Sequence, residues 1–195
     1  GPRAVPGRYR VRLHVDGAVD EAPLEVRKDP RLVDIPVADL QAQFDFLMRT
    51  QDAMERLTGA VQRIQGVRTD VREVAENLSE ARAGASWLPG VRSRADTLTA
   101  RLERVADELV QAEGGGWDRE AKLRRQIAFI LNESQTQRGE YTDARPTDQW
   151  VERLGDVVEE LDVLLLELDR ILDQDLAELN DYLEENGAGV RVIVS

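Results

Sequence analysis

The sequence has no cysteine, which excludes disulfide staples and thiolate metal sites and leaves the redox compartment open, since absence fits either side of a membrane. It has one histidine, His14, with no Ser, Cys or second His patterned around it, so neither a serine triad nor a histidine zinc site can be assembled. Aromatic residues make up 5%, which suits helices packed by Leu and Val better than a sheet sandwich. No apolar run approaches the roughly 20 residues of a membrane span, so membrane insertion is not expected. There is no signal peptide and no initiator Met; the chain begins Gly1-Pro2, native sequence or a protease scar, and we expect it to be a piece of a longer polypeptide.

What is present is enough for a core. Hydrophobic residues reach 42% of 195, sufficient for one large domain or for a domain with a small appendage. The net charge of -12 is local: Thr147 to Asn186 holds fourteen acids against only Arg153 and Arg170, and elsewhere acids and bases balance. A chain acidic in this way is not expected to bind nucleic acid. The acidic face reads first as solvated surface.

That same stretch organises the chain. Trp150, Leu154, Val157, Leu161, Leu164, Leu168 and Ile171 recur at four-three steps, one apolar stripe on a helix. The stripe shifts at Asp175 and continues through Leu172, Leu176, Leu179 and Leu183, giving a helix over 147–185, roughly 58 Å long at about 1.5 Å per residue. Asp175 is where bundle packing is expected to give way to other contacts.

In chain order, Tyr9, Val11, Leu13 and Val15 alternate with Arg8, Arg10, Arg12 and His14, the pattern of a strand with one buried face. Asp16-Gly17 turns the chain, which returns through Leu24 and Val26 to Asp29-Pro30. The result is a β-hairpin over 1–31, which needs support because two strands alone are marginal in water. Leu40, Leu47, Met54 and Val61, then Leu57, Ile64, Val71 and Leu78, step by seven and predict a long helix over 37–81 with Asp39 in its first turn. Gly59 and Gly66 fall inside it and are read as marks of close helix contact. A punctuating loop at 84–90 precedes a helix over 88–113 carrying Val91, Ala95, Leu98, Leu102, Val105, Leu109 and Ala112, stopped by Gly114-Gly115-Gly116. A shorter helix over 118–138, capped by Asp118, carries Leu123, Ile127 and Ile130, and Gly139 to Pro146 ends it. Tight connections predict a mainly α protein: an antiparallel four-helix up-down bundle with two long outer helices over 37–185, plus the hairpin. The tail, 190–195, reads as a strand that makes the small sheet three-stranded.

Pro6-Gly7-Arg8-Tyr9-Arg10-Val11-Arg12-Leu13, the turn Asp16-Gly17, Leu24-Glu25-Val26, Asp29-Pro30-Arg31 and Ala38-Asp39-Leu40-Gln41-Ala42-Gln43-Phe44-Asp45 together resemble the C-terminal region of bacterial sortilin-like, BNR-repeat β-propeller proteins commonly labelled glycosyl hydrolases. Leu123, Arg145-Pro146-Thr147, Gln149, Asp175-Leu176 and Leu179-Asn180 extend the resemblance over most of the chain. It implies that the hairpin is the remnant of an immunoglobulin-like unit, that the helices are a C-terminal appendix, and that the parent is exported to the periplasm or beyond. Any enzymatic activity would belong to the propeller, so this chain itself is expected to be non-catalytic.

Glycoside hydrolysis needs two carboxylates about 5 to 10 Å apart across a cleft. Asp162 with Asp169, and Asp173 with Asp175, have suitable spacing on the last helix, but the abundance of such pairs favours an exposed face. Arg49, Arg56 and Arg63 share a seven-residue step and are placed to meet that acidic edge. No calcium loop is matched, and no metal or cofactor is implied. Trp87 with Leu88, and Trp117, lie in inter-helix loops and are the candidate interaction residues. The expected function is structural or interactive, through an apolar stripe left bare where the long helices outrun the short ones. The expected partner is a protein, either the parent β-propeller or a second copy. The alternative is an accessory wall or lid of a carbohydrate-acting enzyme, with carboxylates and aromatics clustered near the hairpin.

Overall fold

The computed structural model describes residues 2–110, 121–137, 140–141 and 143–193. The chain is mainly helical with a small antiparallel hairpin. Two strands, β1 (Gly7–Val15) and β2 (Ala18–Val26), precede α1 (Val37–Ala81), α2 (Leu88–Leu109) and α3 (Leu123–Gln135). Then come the short strands β3 (Thr136–Gln137) and β4 (Glu140–Tyr141), and finally α4 (Asp148–Glu185). The chain divides into two compact units: unit 1 holds Gly1–Asp52 and Phe129–Leu154, unit 2 holds Ala53–Ala128 and Gly155–Ser195.

In unit 2 the heptad seam of α1 resolves into Ala53, Leu57, Ala60, Ile64, Val67, Val71 and Leu78, all buried, whereas Met54 and Val61 sit at its margin. α2 buries Leu88, Val91, Ala95, Leu98, Leu102, Val105 and Leu109. From α4 come Val157, Leu161, Leu168, Ile171, Leu172, Leu176, Leu179 and Leu183. A fully buried Leu or Ile contributes about 1.5 to 3 kcal/mol relative to an exposed one, so these rows hold the unit together.

Polar pairs fix the direction of each helix. Arg56 meets Asp162 and Arg63 meets Asp169, both at a sequence separation of 106, so α1 and α4 run parallel here. Arg68 meets Glu103 while Arg92 reaches Ser79, and α2 therefore runs against α1. The expected alternation, with first and fourth helices antiparallel, does not hold in unit 2. Helix spacing in the sequence reports which face is buried and is silent on direction, which is why the pattern allowed both.

Helix ends are set by local chemistry. Thr147 Oγ1 accepts from the Trp150 backbone N–H at 3.4 Å and caps α4. At its other end Gly187, at φ 64°, lets Ala188 N–H return to the Leu183 carbonyl at 2.9 Å, a Schellman closure. α2 stops at Leu109, because Val110 is already extended at φ -133°, ψ 133°. It ends before the expected 113; Ala112, Gly114-Gly115-Gly116 and the proposed cap Asp118 lie outside the described residues. α3 begins at Leu123 rather than 118. Gly59 does not mark a close contact, since a Cβ there would meet nothing within 4 Å. The close approach is at Gly90, where a Cβ would lie 2.2 Å from the Tyr182 hydroxyl.

The C-terminal tail is corrected. Over 188–193 there is no strand. Buried Asn180 instead donates through Nδ2 to the Val192 carbonyl at 3.0 Å and accepts the Val192 N–H through Oδ1 at 2.8 Å. A side-chain amide thus satisfies the backbone groups that a ladder would use. Residues 194–195 lie outside the described residues.

Candidate functional site

In unit 1 the hairpin is joined by a two-residue turn in which Asp16 (φ 47°) and Gly17 (φ 84°) both take positive φ, a type I′ geometry that matches the twist of the strands. Pairing runs from Val15 with Ala18 to Gly7 with Val26. Tyr9, Val11, Leu13 and Val15 share one face with Ala18, Asp20, Ala22 and Leu24; Arg8, Arg10, Arg12 and His14 share the other with Val19, Glu21, Pro23 and Glu25.

The alternation is realised, but no face is buried. Tyr9 is 41%, Val11 50%, Leu13 60% and Val15 53% exposed, and β1 is exposed throughout. The expectation of one covered face therefore fails: the pattern specifies which face prefers cover, and the described residues do not supply it. The charged face is tied together in part, with Glu21 accepting from Arg10 at 3.2 Å and from Arg12 at 2.5 Å.

At the base of the hairpin a cleft of about 360 Å³ opens between Arg3, Lys28, Asp29 and Asp143, over a floor of Leu40 and Phe44. Its carboxylates are committed. Asp143 receives Arg3 Nη1 at 3.2 Å, and Asp29 receives Arg31 Nη2 at 2.7 Å together with the Arg31 backbone N–H at 2.9 Å. The side-chain and then the backbone hydrogen bonds from Arg31 hold the Asp29 carboxyl at about 2 against an ordinary 3.8. A group ionised so firmly is a poor proton donor near neutrality, the opposite of what a glycosidase acid requires.

The other expected sites resolve differently. Asp162 and Asp169 belong to the pairs with Arg56 and Arg63, as the seven-residue step suggested, whereas Arg49 is exposed and forms no ion pair among the described residues. Asp175 does not end the bundle packing. It points at α2, where Arg101 Nη1 donates to Oδ1 at 2.7 Å, and the leucines beyond it stay buried to Leu183. Such pairs contribute about 0.2 to 1 kcal/mol where exposed and act mainly on helix register.

Leu88 is 7% exposed and belongs to the core of unit 2, so it is not an available anchor. Trp87 is half-buried at the start of α2, and its carbonyl accepts the Tyr182 hydroxyl at 3.3 Å; Arg94 lies 3.9 Å above the Tyr182 ring. Trp117 lies outside the described residues. Trp150 stacks at a tilt of 54° on Phe129, with ring centroids 5.9 Å apart in unit 1. Neither is the bare stripe found in unit 2, where the apolar rows of α1 and α4 are covered towards their C-terminal ends; among the described residues, Val163 and Leu166 on α4 and Val190 and Ile193 in the tail are the exposed large apolar residues there.

Among the described residues no group of three or more His, Asp or Glu could hold a metal ion, and no helix is long and apolar enough to cross a membrane. The geometry thus defines a mainly helical protein that carries a β-hairpin with an exposed apolar row. In comparison with known proteins, no family model matches the sequence, and neither a curated protein nor a solved structure matches it at a significant level.

Proposed function

We propose that the chain is a non-catalytic structural and interaction module of a larger exported β-propeller protein. The observation that supports this reading is the hairpin face: Tyr9, Val11, Leu13, Val15 and Leu24 form one apolar row that stays exposed, while the helical segments of unit 2 bury theirs. A row of this kind gains about 25 cal/mol for each Å² removed from water, which makes it a docking surface for a β-rich body. The parentage rests on the resemblance carried by Pro6 to Leu13, Asp16-Gly17 and Asp29-Pro30-Arg31. The hairpin is the joining element, and the helices form the appended body.

Reconstitution tests this. The polypeptide encoded immediately upstream in the gene is produced separately, mixed with the chain, and followed by sedimentation velocity. The expected result is a one-to-one complex that Val11→Lys abolishes, because the charge falls in the middle of the apolar row. Absence of a complex, or one indifferent to Val11→Lys, overturns the proposal.

A further inference from the structure

The two edges of the hairpin are not equivalent. In a two-residue type I′ hairpin the closing pair, Val15 with Ala18, exchanges both ladder hydrogen bonds, and hydrogen-bonded pairs then alternate along the strands. Residues 18, 20, 22, 24 and 26 of β2 therefore bond inward, and Val19, Glu21, Pro23 and Glu25 direct their backbone outward. Two of those four positions are blunted. Pro23 has no N–H, and the Glu21 N–H is taken by Asp20 Oδ1 at 2.9 Å. On β1 the outward positions are Arg8, Arg10, Arg12 and His14, with no proline and four N–H groups in register that have no partner among the described residues.

Charge says what fits there. Along the inner side, Arg10 and Arg12 pair with Glu21 of β2; among the described residues Glu21 is the one ion-pair partner of Arg10 and Arg12, and Arg8 has none. A strand laid on this edge sets alternate residues beside the three arginines and the others in line with Tyr9, Val11 and Leu13. We propose that the outer edge of β1 is a docking site for an extended strand of another polypeptide in which acidic and apolar residues alternate.

A second copy is the wrong occupant. Pairing β1 with β1 sets arginine against arginine, and pairing β1 with the outer edge of β2 meets Pro23 and the engaged Glu21 N–H. Nor does this chain carry the segment. Outside its helices and β2, no stretch of its sequence alternates acidic and apolar residues over five positions, and the tail around Arg191 is basic and held by Asn180. The inference concerns the edge and stands apart from the parentage proposed above, which concerns the face.

The test uses the whole chain and a capped nine-residue peptide alternating Glu and Val, with a Lys-Val peptide as counterpart, read by amide hydrogen exchange. The Glu-Val peptide is expected to slow exchange at Arg8, Arg10, Arg12 and His14 at least tenfold, and the Lys-Val peptide to leave it unchanged. Arg10→Pro, which removes one outward N–H and no inward bond, abolishes the protection; Glu25→Pro on the opposite edge retains it. The double variant Arg10→Glu/Arg12→Glu reverses the preference between the peptides, which keeps the test valid if the proline variant unfolds the hairpin. Protection at Val19 and Glu25 instead, equal protection by both peptides, or protection that grows with protein concentration in the absence of peptide each overturn the proposal.

Discussion

β1 and α2 are both amphipathic from end to end, and they end up in opposite situations. In α2 the apolar residues from Leu88 to Leu109 are all buried, and each neighbouring helical segment of unit 2 is tied to it by a polar contact. In β1 the apolar residues are as regular, and every one of them is exposed. An apolar period records which side of an element prefers cover and carries no statement of where the cover comes from. The hairpin's stability rests on its I′ turn, its ladder and its cross-strand ion pairs, which leaves its apolar face free for other use.

The largest expected effect tests that contrast directly. Leu98→Ala, at a fully buried position of α2, is expected to cost about 2 to 5 kcal/mol by urea denaturation. Leu13→Ala on the hairpin is expected to change stability by no more than about 0.5 kcal/mol. If the two costs converge, the hairpin has cover within the chain and the comparison breaks.

Next in size is Asn180→Ala. It removes both partners of a buried backbone pair at Val192, each worth about 1 to 3 kcal/mol if left unsatisfied, but the tail can detach and let water take their place. The expected cost is therefore about 2 kcal/mol, with hydrogen exchange at the Val192 amide rising to that of a free chain end. Unchanged protection at Val192 would show that the tail is held by its apolar contacts alone.

Glycine sharpens the same point within the helices. Gly59→Ala enters open space in mid-helix and is expected to stabilise by about 0.5 to 1 kcal/mol. Gly90→Ala drives a methyl into the Tyr182 ring and is expected to destabilise by about 1 to 3 kcal/mol. Paired thermal melts decide both signs.

Much of this was legible in the sequence. The long helices announced themselves through four-three and seven-residue spacing, the turn through Asp16-Gly17, and the register of Arg56 and Arg63 against the acidic edge through their shared step. What failed did so for definable reasons. Helix direction is set by loops and polar partners rather than by period, so the parallel run of α1 and α4 was not readable. The valines of the tail suggested a strand, yet Asn180, a residue with no period of its own, captures the backbone there. Asp175 looked like an interruption because its partner, Arg101, is on another helix. The small β3–β4 pair had only Gly139 to signal it. For the candidate site, alternation identifies the hairpin face and assigns it a burial that the described residues do not provide, while the loop position of Leu88 in the sequence conceals its place in the core.

The smallest effect lies at the foot of the hairpin and concerns pH. Arg31 holds Asp29 through its side chain and its backbone N–H, which lowers the carboxyl to about 2 from an ordinary 3.8 and raises the Arg31 guanidinium in return. For a carboxyl lowered in the folded state, the contribution is complete above the ordinary value and is lost as pH falls from about 4 towards 2. The clasp lies at the surface, with the Arg31 side chain 88% and the Asp29 side chain 36% exposed, so its effect on global stability should be slight and its signature local. A carbon-detected NMR titration is expected to place the Asp29 midpoint near 2, and in Arg31→Gln to return it towards the ordinary carboxylate range. A midpoint near 4 in the unaltered chain would mean that Arg31 leaves Asp29 in solution and that the link after β2 is looser than the hairpin it anchors.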